Sequence, residues 1–186
     1  ALRYYLLREV PWDGDGDITR ERFDERYTAE LANDLGNLAS RTLAMIKKYR
    51  DGIIPEGDAR SLDAAAQQAV ARYEEAMDQS LIHQGIAAAL ELTSTANGFV
   101  EEQAPWALAK DPDSAAELDA TLASLARSLL VLATLFHPIM PGKMEDLAQR
   151  LGVDEVPTLS GALTEILAGR AVTRGDPLFP RADLNR

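Results

Sequence analysis

The sequence holds no cysteine, which excludes disulfides and thiolate metal sites and fits a cytoplasmic setting. Its two histidines, His83 and His137, are too few and too far apart for a metal centre, and each reads as a capping or core residue. There is no Gly-rich phosphate loop, no HxxxH motif, no nucleophile–base pair and no carboxylate pair with a supporting context. No catalytic residue, metal or cofactor site is therefore expected in these 186 residues. No apolar run is long enough to span a bilayer, the longest being Leu129 to Phe136, and no basic-then-apolar leader is present, so no membrane partner is expected. Alternating strand character, internal repeats and low-complexity stretches are also missing.

An excess of basic charge is lacking too. The net charge is −11, which taken alone argues against nucleic-acid binding. Its distribution is uneven. Residues 1–50 carry nine Lys/Arg against nine Asp/Glu, whereas 51–186 carry ten against twenty-one. From Leu35 to Arg50 the chain holds Arg41, Lys47, Lys48 and Arg50 and no acid. One short basic stretch on an acidic protein predicts a small footprint with a few salt-sensitive contacts.

What is present is helical periodicity. Residues 1–10 read as a short amphipathic element with Leu2, Tyr5 and Leu6 on one side, closed by Pro11. The Asp/Gly run of 13–17 resembles a calcium loop, but position 24, where that pattern needs Glu, is Asp24; it reads as an acidic loop. Thr19 is a good N-cap for a helix over 20–50, with Phe23, Tyr27, Leu31, Leu35, Leu38, Thr42 and Met45 inward and a kink allowed near 29–33. Asp51-Gly52 stops it. Further helices are expected over about 61–78 with Ser61 as cap, 82–110 with a break at Pro105, 114–136 and 143–151, with a brief one near 163–168. The fold class is all-α, a bundle of about five helices followed by a Pro/Gly-rich C-terminal tail. The divisions are 1–18, 19–152 for the bundle, and 153–186 for a tail that packs back on it.

Two features carry candidate function. Asn37, Arg41 and Lys48 lie at steps of four and seven, so a helix puts them on one face, with Leu38, Thr42 and Met45 turned elsewhere. An amide can match a base edge, and a guanidinium can bond a base or a phosphate and can stack. The bland alternative is a solvated helix face. Trp106 follows Pro105 at a break, flanked by Glu101, Glu102 and Lys110. An indole there suits stacking by an unpaired base, and the alternative is a Trp packed into the bundle edge.

GNLASR (36–41), preceded by ANDL (32–35), is similar to the anticodon-domain helix of methionyl-tRNA synthetases, which are class I aminoacyl-tRNA synthetases. EEQAPW (101–106) with ALAK (107–110) resembles the second signature of that domain, at a matching spacing. LRYYLLREVP (2–11), the DGDG loop after it and PLFPR (177–181) match the domain's borders, so the resemblance covers nearly the whole chain. It implies a helical domain that binds the anticodon loop of methionine tRNA. Asn37 and Arg41 would contact unstacked anticodon bases, and Trp106 would stack on the first, a cytosine. Lys48, with Lys47 or Arg50 behind it, would meet phosphates. The implied partners are methionine tRNA and the catalytic domain of the parent synthetase, with 1–18 as the end of the connector from it. The HIGH-type and KMSKS-type signatures are missing, so ATP would belong to that other domain and this stretch reads as a fragment or excised domain. Two rival readings stand beside this one. One is the anticodon domain of a sister class I synthetase. The other is a helical protein-interaction module without RNA binding, in which Trp106 is buried.

Overall fold

A computed structural model describes residues 1–9 and 18–181. Trp12, Pro11 and the acidic loop of 13–17, with the calcium-loop question attached to it, lie outside the described residues. In the first element, α1 (Leu2–Glu9), Tyr5 alone of the expected Leu2, Tyr5 and Leu6 grouping is buried, and Tyr4 joins it. Tyr4 and Tyr5 are buried, whereas Leu2 is 61% and Leu6 38% exposed. The two rings pack on Phe136 and Phe23, and the Tyr4 hydroxyl donates to Glu30 Oε2 at 2.6 Å. A tyrosine hides more apolar area than a leucine, so the rings take the inside; Tyr4 satisfies its hydroxyl at Glu30, whereas the Tyr5 hydroxyl is buried without a partner among the described residues. Arg26 then fastens the element, donating to Glu9 and Glu30 at 2.9 Å each.

Thr19 caps α2 (Arg20–Arg26), its hydroxyl accepting from the Arg22 N–H at 3.2 Å. The same rod runs on as a π-helical segment (Tyr27–Leu35) and then α3 (Gly36–Tyr49). The wide turns fall where the periodicity allowed a kink, and the rod changes phase there rather than breaking. Gly36 closes the wide segment. A Cβ at Gly36 would lie 2.9 Å from the Leu31 carbonyl oxygen and 3.5 Å from the Phe179 ring. Asp51 and Gly52, both in the left-handed region at φ 52° and 84°, end α3, and the Gly52 N–H donates to the Ile46 carbonyl at 3.2 Å.

Helix α4 (Asp63–Asp78) starts two residues after Ser61, which caps nothing. Leu62 is buried at the start, and Asp63 in the first turn meets Arg127 Nε at 3.1 Å, so packing and an ion pair set the helix start in place of a hydroxyl cap. Helix α5 (Ile82–Gln103) ends at Ala104, and α6 (Pro105–Leu108) is one turn long. Next come α7 (Ala115–Phe136), α8 (Pro141–Arg150) and the short α9 (Leu159–Thr164). Pro141 opens α8 as its first residue, where the missing N–H has no partner to lose, and α9 begins four residues before the expected 163. Among the described residues the long rods number five, counting α2 through α3 as one. The only strand-like feature among the described residues is a single antiparallel bridge, Ile53 with Ala171.

Helix α7 is the axis of the bundle. It touches α3, α4, α5, α6, α8 and α9, and from Leu118 to Phe136 almost every side chain is buried. By length and composition the run Pro112–Phe136 could cross a membrane, contrary to the expectation that no run is long enough; 83% of its most apolar window is buried under the other helices, and that role accounts for its character. Three of its buried hydroxyls bond back along the helix: Thr121 to the Glu117 carbonyl, Ser128 to Ser124 and Thr134 to Leu130, at 2.8–3.0 Å. Beyond Gly152 the chain returns over the bundle. The Ile54 N–H donates to the Arg170 carbonyl at 2.9 Å and the Val172 N–H to Gly52 at 2.7 Å. Leu178 and Phe179 are buried, and the Tyr27 hydroxyl donates to the Pro180 carbonyl at 2.6 Å.

Leu125 and Leu129 are fully buried in α7. Truncating either to Ala should cost about 2–5 kcal/mol, read from denaturant melts. Parent-like melting of both variants would contradict the burial of that stripe.

Candidate nucleic-acid interface

Two arms meet at one end of the bundle. The first is α3, whose start carries Asn37 and whose second turn carries Arg41. The second is the junction of α5 and α6. Proline cannot continue the hydrogen-bonded ladder of α5, and it disfavours helical backbone in the residue before it. Ala104 accordingly takes the left-handed conformation at φ 44°, its N–H held by the Val100 carbonyl, and the chain turns into α6. That turn puts Trp106 at the surface, 39% exposed rather than fully buried.

Arg41 joins the arms. Its guanidinium carbon lies 5.7 Å from the Trp106 ring centroid, and its Nη1 lies 2.6 Å from Glu101 Oε1. Arg41 is about one-third exposed and Glu101 about two-thirds, which keeps this pair weak in energy and open to exchange. Asn37 is exposed one turn back, and its side chain makes no hydrogen bond among the described residues. Lys48 lies two turns further on, about 10 Å along the axis from Arg41, with its Nζ 5.1 Å from the Tyr49 ring. Lys47 runs the other way, its stem against Gly52. Lys47 and Lys48 make no ion pair among the described residues.

The tertiary structure thus brings Arg41 and Trp106 together, leaves Asn37 beside them and sets the two lysines apart. It removes Arg50 from the phosphate-binding candidates. That guanidinium bonds Asp119, the Tyr49 carbonyl at 2.7 Å and the Ala115 carbonyl at 3.2 Å, tying the end of α3 to the start of α7. Glu101 is the residue that sequence reasoning missed. It appeared only as a flank of Trp106, and no local signal pairs it with a residue sixty positions earlier. The acid-free count over 35–50 therefore overstates the basic patch, since Glu101 and Asp119 each neutralise one of its arginines.

A family model described as the anticodon binding domain of methionyl tRNA ligase matches residues 52–184, well over half of the chain. The chain belongs to that family. A model of class I tRNA synthetases of the methionine type matches residues 1–43, which include Asn37 and Arg41. Methionine–tRNA ligase of Bacillus subtilis is 41% identical over 192 residues, covering 98% of this chain and 29% of the relative. That of Lactiplantibacillus plantarum is 40% identical over 198 residues, covering all of this chain and 29% of the relative. The crystal structure of free Mycobacterium tuberculosis methionyl-tRNA synthetase superposes with a TM-score of 0.89 at 31% identity, over 97% of this chain and 38% of that one. The chain thus spans under a third of the length of the curated relatives it matches.

In this anticodon-binding-domain chain a second bridge joins the arms just below Arg41. The Asn97 amide of α5 donates to both the Asp34 side chain and, at 3.4 Å, its backbone carbonyl. Burial pushes the Asp34 carboxyl above the ordinary carboxylate range; the Asn97 hydrogen bond opposes this and the nearby Glu30 charge adds to it. A carboxyl raised on folding favours the folded state most in its protonated form. That contribution is complete below the unfolded value and is lost as pH rises through the folded one. Asp34→Asn imitates the protonated acid. It should melt at or slightly above the parent at pH 7, with the difference closing as pH falls below about 4, the ordinary Asp value. A variant markedly less stable than the parent at neutral pH would reverse the sign of this argument.

Proposed function

We propose that the chain binds the anticodon loop of methionine tRNA, with Trp106 as stacking platform and Arg41 and Asn37 as base readers. The carrying observation is Trp106, exposed at the α5–α6 break with the Arg41 guanidinium beside its ring. A half-exposed indole offers a sequence-tolerant face to an unstacked base. Arg41 spends one nitrogen on Glu101 and keeps further N–H donors for a base edge or a phosphate. Asn37 presents a free donor and acceptor one turn away. Lys48, and Lys47 behind it, supply charge for the loop backbone. Family membership supports the methionine reading over a sister synthetase.

Within the parent enzyme this domain would recognise the tRNA while a catalytic domain joins methionine to it with ATP. The chain holds no cofactor in this reading, and the catalytic domain is its second partner. A contaminant-free preparation should show methionine-dependent ATP–pyrophosphate exchange at background, and a signal above it would reject this division of labour.

The recognition assignment is tested by a salt series with the cognate anticodon hairpin and one changed at its first anticodon base. Trp106→Ala should lose about 1–3 kcal/mol of binding with little change in salt slope, as a stacking loss does. Lys48→Ala should weaken both hairpins alike and lower the slope by about 0.7, the single-strand value for one phosphate. Arg41→Ala should lower affinity with a smaller slope change, because Glu101 already balances its charge. Asn37→Ala should narrow the gap between the hairpins. Should Trp106→Ala unfold the chain, or bind both hairpins as the parent does, Trp106 is a packing residue and the assignment fails.

A further inference from the structure

The two arms of the site hang on different rods. At the exposed tip, among the described residues, only Arg41 connects them, through an ion pair with Glu101 and its ring contact with Trp106. Contacts so exposed hold geometry weakly, because water and salt compete for them. The Asp34–Asn97 bridge differs on three counts. It is partly buried and involves a charged acceptor, and such bonds are the stronger ones. It also grips two atoms of one residue, since the same amide reaches the Asp34 side chain and the Asp34 carbonyl, fixing backbone as well as side chain.

Its position in the rods gives the bridge leverage. Asp34 sits at the end of the π-helical segment, just before Gly36 resumes α-helical bonding, and α5 packs against that segment as well as α3. Wide π turns have looser bonding than α turns and leave the phase of the following helix free to vary. Arg41 follows Asp34 by two turns, and Glu101 follows Asn97 by one. A slip of α3 along α5 at Asp34 would pass undiminished to Arg41 and shift it relative to Trp106. The Asn97 Oδ1 is buried without a partner, a cost accepted here for directing the amide onto Asp34.

We propose that Asp34 and Asn97 are positioning residues for loop recognition: their hydrogen bond sets the register of α3 against α5 and so the distance between Arg41 and Trp106. This rests on the reading of Trp106 and Arg41 given above. Neither residue touches RNA in the proposal. Both act through the geometry of those that do.

The test uses the 186-residue chain carrying Trp12→Phe, so that Trp106 is the only indole. Asn97→Ala and Asp34→Ala should shift the Trp106 indole N–H resonance and raise acrylamide quenching before any RNA is added. Each should also bind the cognate hairpin about tenfold more weakly, the loss of one charge-assisted hydrogen bond, with the parent's salt slope. Asp34→Asn keeps an acceptor and should restore both readouts; Asn97→Ser repeats the test if Asn97→Ala melts early. An unmoved Trp106 signal in both Ala variants overturns the proposal, as does a moved signal with parent-like binding and discrimination. If the parent binds neither hairpin, the recognition reading itself has failed, which the RNA-free Trp106 signal distinguishes from a failure of the register argument.

Discussion

Everything in this fold depends on covering α7. A helix that is apolar on nearly every side cannot face water along any stripe, and each missing neighbour would expose about 25 cal/mol of unfavourable area per square ångström. Six helices meet that demand, and the returning tail adds Leu178 and Phe179 to the same core. Most buried hydroxyls of α7 bond to their own helix, as those of Thr121, Ser128 and Thr134 do, while the Ser124 hydroxyl is buried without a partner among the described residues.

Covering one axis brings distant parts of the chain together. Helices α3 and α5 both pack on α7, so their ends lie side by side although Arg41 and Trp106 are far apart in sequence. The core sets the separation of the rods but says little about sliding along them, because apolar contacts are nondirectional. Directional bonds act on that remaining freedom: Asp34 with Asn97, Arg50 with Asp119, and Arg26 between Glu9 and Glu30. Each joins elements that the core alone would leave free to shift.

The charge distribution has the same origin. The chain is acidic, and two of the four bases in its basic stretch are met by carboxylates from other helices. The unpaired positive charge of that stretch reduces to Lys47 and Lys48, away from the Trp106 end. Base stacking and base-edge bonds, rather than bulk charge, then have to dominate in the proposed recognition.

By itself the sequence determined the local structure. The spacing of Leu31, Leu35, Leu38 and Met45 marked one buried stripe, Thr19 and Gly52 marked the ends of a rod, and Pro105 marked the break that exposes Trp106. Those signals are local because capping, proline geometry and helical period act over a few residues. It also marked Asn37, Arg41 and Trp106 as the residues to watch. Only the tertiary structure decided which of them meet, that Tyr4 rather than Leu2 and Leu6 joins Tyr5 inside, that Leu62 and Asp63 rather than Ser61 begin α4, and that Arg41 and Arg50 already have acidic partners. Periodicity reports which face of a helix is apolar. It does not report which helix that face will meet, so ion pairs across sixty residues stay hidden until the rods are packed.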